Sequence, residues 1–168
     1  GKGKDNFACC RYDLLANGLE MVVDFDQTVS ENPEEMLYRF VAKHNPNSYP
    51  LTSLVVIEQE GGSASLYAQR YFQEILEEFG IPVVLKSPKG SKFQRARPLM
   101  HKIKQGSVKI NKDMNYVDDF IDESISLDPL GKGRSPNLVD SCTLAHNYLH
   151  EEIFGHQTTI TKGIRIGA

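Results

Sequence analysis

The chain has 168 residues, 40% hydrophobic and 24% charged, and its 19 Lys and Arg against 22 Asp and Glu leave a net charge of −3. That is one domain's worth of chain, long enough to bury a core, and the overall charge does not mark a nucleic-acid or membrane binder. No apolar run approaches the roughly 18 residues of a membrane helix, and no basic-then-apolar leader opens the chain. Three cysteines (Cys9, Cys10 and Cys142) are too few for a disulfide framework and fit a reducing cytosol. C-x-x-C and H-E-x-x-H are absent, which excludes the familiar zinc patterns. The chain opens Gly1-Lys2-Gly3-Lys4-Asp5 and its first Met is Met21, which fits a processed start and a piece of a longer chain equally.

Residues 7–15 and 19–27 are apolar, partly alternating runs on either side of Asn17-Gly18, the strongest short hairpin signal. Ser30, Asn32-Pro33 and Glu34 mark a helix start, with Met36, Leu37, Phe40 and Val41 as its apolar face as far as His44. A polar loop covers 45–50, and 51–58 reads as a buried parallel strand ended by Gly61-Gly62. Ser63 then caps a helix over 64–79, stopped by Gly80, whose inward face takes Leu66, Tyr67, Tyr71, Ile75, Leu76 and Phe79. Residues 81–86 predict a strand, 91–104 a helix ended by Gly106, and 107–111 a strand. Helical patterns follow over 114–127 and 136–153, with Pro136 in the first turn and Leu138, Val139, Leu144, Ala145 and Leu149 facing inward. The order β-β-α-β-α-β-α-β-α-α predicts an α/β fold with parallel strands, made a mixed sheet by the opening hairpin.

Charge is unevenly spread. Lys86 to Lys112 holds nine Lys and Arg and no acid, whereas Asp113 to Asp128 holds six acids and no Lys or Arg. The basic stretch suits either phosphate contact or a solvated helix face. Lys92 and Arg95, with Arg97, follow Gly90-Ser91 at a helix start, where backbone N–H groups favour anions. Glu58 closes an apolar strand, the place where ligands bind in open α/β sheets, and a carboxylate there suits a hard metal ion as well as plain solvent. Asp140 falls in the first turns of the last helix, as a metal ligand or simply as a partner of the helix dipole. Gly-Lys-Gly-Lys at residues 1–4 lacks the preceding strand and the Lys-Ser/Thr ending of a P-loop.

Asp24-Phe25-Asp26-Gln27-Thr28 resembles the nucleophile motif of haloacid-dehalogenase-like phosphatases, in which the first Asp attacks phosphate and the second is the acid/base. The late apolar strand ending in acids that such enzymes carry is missing, because Asp118-Asp119 lies in a helical pattern. His146 and His150 are spaced i, i+4 without an evident third ligand, which reads as core-edge or surface histidines.

A wider resemblance joins Val55-Val56-Ile57-Glu58-Gln59-Glu60-Gly61-Gly62-Ser63, the segment Gly90 to Leu99 with its G-x-K-x-x-R pattern, Gln105-Gly106-Ser107-Val108, and Leu138-Val139-Asp140-Ser141. In order and spacing these resemble the C-terminal nuclease domain of the large terminase subunit of tailed bacteriophages, and Gly3-Lys4-Asp5-Asn6-Phe7 resembles the segment after that family's first catalytic Asp. The resemblance implies an RNase-H-like fold and a metal-dependent endonuclease that cuts concatemeric double-stranded DNA during packaging. It implies Mg²⁺ or Mn²⁺, two ions held by an acid cluster in which Glu58 and Asp140 serve, with Lys92, Arg95 and Arg97 on DNA phosphates. It also implies portal protein and small terminase subunit as partners, action in the host cytoplasm at the procapsid portal, and no membrane. Two departures stand out. The family's first catalytic Asp would precede Gly1, and its late Asp-Asp pair falls on Pro136 and Asn137. The expectation is therefore a single RNase-H-like domain over 1–168 whose first strand, like the ATPase domain, lies outside this chain. An upstream segment or another polypeptide would then complete the sheet. The alternatives are a catalytically degenerate DNA-binding or docking module and the phosphatase using Asp24 and Asp26.

Overall fold

The opening hairpin forms where the sequence predicts it. In the computed structural model, which describes residues 6–29, 32–45, 52–59 and 63–154, β1 (Asn6–Leu14) pairs antiparallel with β2 (Glu20–Val29). The connection is longer than the two-residue turn that Asn-Gly suggests. The Leu15 amide donates to the Leu19 carbonyl (2.8 Å), and Asn17 Oδ1 accepts from the Leu19 amide (3.1 Å). Gly18 sits at φ +83°, where any side chain would be strained.

A bulge decides which way β2 faces. Arg11 pairs with Asp24 and Tyr12 with Val22, so Val23 is the extra residue. Asn111 makes good the broken ladder: its side chain donates to the Val23 carbonyl and its amide to the Val22 carbonyl, both at 3.0 Å. Because alternation slips by one at Val23, Val22 and Phe25 share a face although they are three residues apart. That face packs with Cys10 and Tyr12 into the larger core, while Asp24 and Asp26 turn to the other side with Cys9.

Helix α1 (Pro33–His44) has Pro in its first turn, Glu34 and Glu35 beside it and Lys43 and His44 in its last turn, all in the sense the helix dipole favours. Asn32 stands at its cap position; Ser30, Glu60, Gly61-Gly62 and most of the predicted 45–50 loop lie outside the described residues. Strand β3 is Val55–Glu58, shorter than the predicted 51–58. Asn45 ties the chain down before it, accepting from the Thr52 amide (3.1 Å) and donating to the Val41 carbonyl (3.0 Å). Helix α2 (Ser63–Glu78), β4 (Val83–Lys86), α3 (Lys92–Gln105) and β5 (Val108–Ile110) follow, then α4 (Val117–Ile125), α5 (Asn137–Tyr148) and a π-helical turn, Leu149–Phe154.

The element order matches the predicted one, and the fold is α/β with a mixed sheet. Among the described residues, however, the strands form two sheets rather than one: β1-β2-β5, with β5 parallel to β2, and a parallel pair β3-β4. Helix α5 packs across β1, β2 and β3 on one face. On the other, Leu37 and Val41 of α1 and Leu76 of α2 form a second core with Ile81, reached by Cys9 of β1 and by Val55 and Ile57 of β3. Both sheets thus lie between the same helices.

Two inward faces need correction. Leu66, Tyr67 and Tyr71 are more than half exposed, because α2 packs through Phe72, Ile75, Leu76 and the following Phe79, a narrower stripe at helical spacing. In α5 the buried residues are Leu138, Val139, Cys142, Thr143 and His146, whereas Leu144, Ala145 and Leu149 are only half-buried. Pro136 caps α5 without a side-chain bond. Glu123 of α4 does that work from outside, accepting from the Val139 amide at 3.0 Å, and its burial pushes its carboxyl pKa above the ordinary value. No helix among the described residues is long and apolar enough to cross a membrane.

Candidate functional site

Helix α3 starts cleanly. Ser91 accepts from the Gln94 amide and the Gln94 side chain accepts from the Ser91 amide, a reciprocal capping box, and Gly106 ends the helix at φ +78°. This places Lys92 and Arg95, one turn apart, on one flank of the helix. Lys92 Nζ lies 2.7 Å from Asp140 Oδ2 of α5, and Arg95 Nη2 lies 3.9 Å from Glu58 Oε1 at the end of β3. Arg95 also donates to the Gly90 carbonyl (2.8 Å), and Asn147 of α5 donates to the Arg95 carbonyl (3.0 Å), which locks α3 against α5. Beside Glu58, its register partner Lys86 pairs with Glu152 of the π turn. Arg97 lies about 200° round the helix from Arg95, is exposed, and stands outside this group.

The fold therefore gathers Glu58, Lys92, Arg95 and Asp140 from three separate sequence segments. The acids offer hard oxygen donors, the kind Mg²⁺ or Mn²⁺ takes. Two carboxylates are too few for two ions, and each faces a cation of α3. Among the described residues, this group does not by itself complete a two-ion centre; it supplies two cations balanced by two acids on one flank of α3.

Asp24 and Asp26 line a cleft of about 470 Å³ with Arg39, Lys43, Asn115 and Tyr116. Asp24 lies mid-strand and is buried. Its Oδ2 accepts from Lys43 Nζ (2.6 Å) and from His44 Nε2 (3.1 Å), and Asp26 is held by Arg39 (2.8 Å). Burial raises the Asp24 pKa, but Lys43 and His44 outweigh it and leave the carboxyl below its ordinary value. An attacking carboxylate of that kind stands at a strand end, whereas these two lie within β2 and are each paired with a cation of α1, which does not favour the phosphatase reading.

The third group was missed from sequence. Glu20 opens β2 and is 4% exposed. His150 Nε2 lies 2.8 and 3.0 Å from its two oxygens, His146 Nδ1 lies 3.4 Å from Oε1, and Tyr12 donates to Oε1 at 2.7 Å. The Tyr12 oxygen is also 2.8 Å from His146 Nδ1. One carboxylate oxygen and two imidazole nitrogens lie within 4.8 Å of one another, a cluster that can hold a metal ion. The i, i+4 histidine spacing was the visible signal. The third ligand was invisible because it lies more than a hundred residues earlier.

A half-buried and a buried histidine set an acid limit on stability. Burial lowers His44, and Arg11 Nη1, which has a proton to give and none to accept, donates to His44 Nδ1 at 3.0 Å, so that ring is neutral with its proton on Nε2. Burial, with His150 nearby, lowers His146 to about 4. An unfolded histidine titrates near 6.5, so below about pH 6.5 the unfolded chain binds protons that the folded chain refuses, and stability falls as pH falls. The urea midpoint is expected to drop steadily from pH 7 to pH 5, less steeply in His44→Gln. A flat profile would contradict the neutral assignments.

No family model and no curated protein matches the chain.

Proposed function

We propose that this chain is an RNase-H-like nuclease domain of the kind found in phage large terminase subunits, acting on double-stranded DNA with Mg²⁺ or Mn²⁺. The observation that carries the reading is the meeting of Glu58, Lys92, Arg95 and Asp140. These residues come from the three segments whose order resembles that family, and no local feature of the chain requires them to meet. Lys92 and Arg95 contact backbone phosphates, which draws them off Asp140 and Glu58 and leaves the two carboxylates turned toward a metal.

The split between the two sheets supports the completion of the site by another strand. Among the described residues β1 pairs only with β2, β3 pairs only with β4, and α5 touches both β1 and β3. An extended segment entering between β1 and β3 pairs with the edges these strands leave open among the described residues and brings any acid it carries up beside Glu58. We propose the upstream segment of a larger terminase, next to its ATPase domain, as its source, with the portal protein and the small subunit as partners at the procapsid in the host cytoplasm.

The test is nicking of supercoiled plasmid by the chain with and without Mn²⁺, alongside DNA binding at low salt. Nicking that needs Mn²⁺ and is lost in Glu58→Ala is the expected result. Binding without nicking assigns the chain to a DNA-binding or docking module. Absence of both removes the nuclease reading.

A further inference from the structure

The Glu20 cluster shares no residue with the Glu58 group and stands independently of the nuclease reading. Its donors are of another kind. Two imidazoles and one carboxylate suit zinc-class ions, whereas Mg²⁺ and Mn²⁺ favour oxygen ligands. The elements that carry the donors converge tightly: Glu20 on β2, His146 on α5, and His150 on the π turn. The wider π turn brings the His150 ring to 4.3 Å, centroid to centroid, from that of His146, and single π turns recur at functional sites. Glu20 and His146 are buried, while the His150 side chain is 30% exposed and gives the cluster a way in from solvent.

The hydrogen bonding accommodates such an ion. Tyr12 has one hydroxyl proton but lies within hydrogen-bond distance of both Glu20 Oε1 (2.7 Å) and His146 Nδ1 (2.8 Å). It can donate to only one of them. With its proton on Glu20, its oxygen accepts from His146 when Nδ1 carries the ring proton; in the tautomer with the proton on Nε2, the Nδ1 lone pair is open to a cation and Tyr12 is the outer partner that orients the ligating carboxylate.

We propose that Glu20, His146 and His150 bind one zinc-class divalent transition-metal ion, with Tyr12 orienting the Glu20 carboxylate and a solvent molecule completing the tetrahedron. Bound there, the ion pins the π turn and the end of α5 to the base of the hairpin.

Cobalt is the probe, because Co²⁺ in a four- or five-coordinate site gives visible d–d bands. Titrating the chain with Co²⁺ should give one site per chain, displaced by Zn²⁺ but not by excess Mg²⁺, without the near-ultraviolet sulfur-to-cobalt band that Cys9, Cys10 or Cys142 would produce. His150→Ala, which removes a partly exposed side chain, should weaken binding by at least the roughly 10–100-fold that loss of an outer partner costs, with the far-ultraviolet circular dichroism unchanged. Tyr12→Phe should weaken it less. The absence of d–d bands, a sulfur charge-transfer band, displacement by Mg²⁺, or undiminished binding in His150→Ala would each overturn the proposal. If Glu20→Gln does not fold, the His150→Ala comparison still decides.

Discussion

Replacing Lys92 and Arg95 together by Ala is expected to weaken double-stranded DNA binding about sixty-fold at roughly 0.1 M salt and to reduce the slope of log K against log salt by about 1.8. Each lost phosphate contact takes about 0.9 from that slope, and at tenth-molar salt each contributes about 0.9 decades of affinity. The two side chains sit one turn apart on α3, anchored by a complete capping box, so the variant leaves the helix start in place. Their ion pairs with Asp140 and Glu58 are partly exposed and worth only about 0–1 kcal/mol each, so the fold should survive the change. The acids act in the opposite sense. Glu58→Ala removes a negative charge beside Arg95 and should hold or tighten DNA binding even as it abolishes Mn²⁺-dependent cleavage. Binding isotherms at four salt concentrations separate these cases. An unchanged slope in the double variant would make this flank of α3 plain surface.

Phe25→Ala should cost about 3–5 kcal/mol, the range for a buried aromatic cut to Ala. Phe25 is 1% exposed, and its ring centroid lies 5.0 Å from that of Phe120, so it joins β2 to α4 across the larger core. Its inward position depends on the Val23 bulge, without which strict alternation from Val22 would turn it outward. Against a total stability of about 5–15 kcal/mol, such a loss removes a large share. Urea denaturation measures it, and a loss below about 1 kcal/mol would show that α4 packs without this ring.

Much was legible without coordinates because it is local. Pro33 and Gly106 mark helix ends by backbone chemistry that neighbouring residues cannot override, and the hairpin follows from two apolar runs around Asn17-Gly18. The order of elements came from the same kind of signal. Where periodicity alone was the guide, the outcome was mixed. Tyr67 and Tyr71 lie at helical spacing from Leu76, yet a helix packs only through the stripe its neighbours meet, and α1 and β3 meet the stripe of Phe72, Ile75 and Leu76. In the same way, 51–58 was strand-like along its length, but among the described residues only Val55–Glu58 enters the ladder, and Thr52 is tied to Asn45 instead.

The sequence by itself determined the α/β class, the element order, the helix ends at Pro33 and Gly106 and the basic stretch around Lys92, since each depends on residues a few positions apart. Only the tertiary structure decided that the described strands divide into two sheets, that Asp24 is spent on Lys43 and His44, and that Glu20 meets His146 and His150. Those outcomes depend on pairs of residues from about twenty to more than a hundred positions apart. Their meeting is set by how helices and strands bury their apolar faces, and a reading of neighbours along the chain carries no information about that.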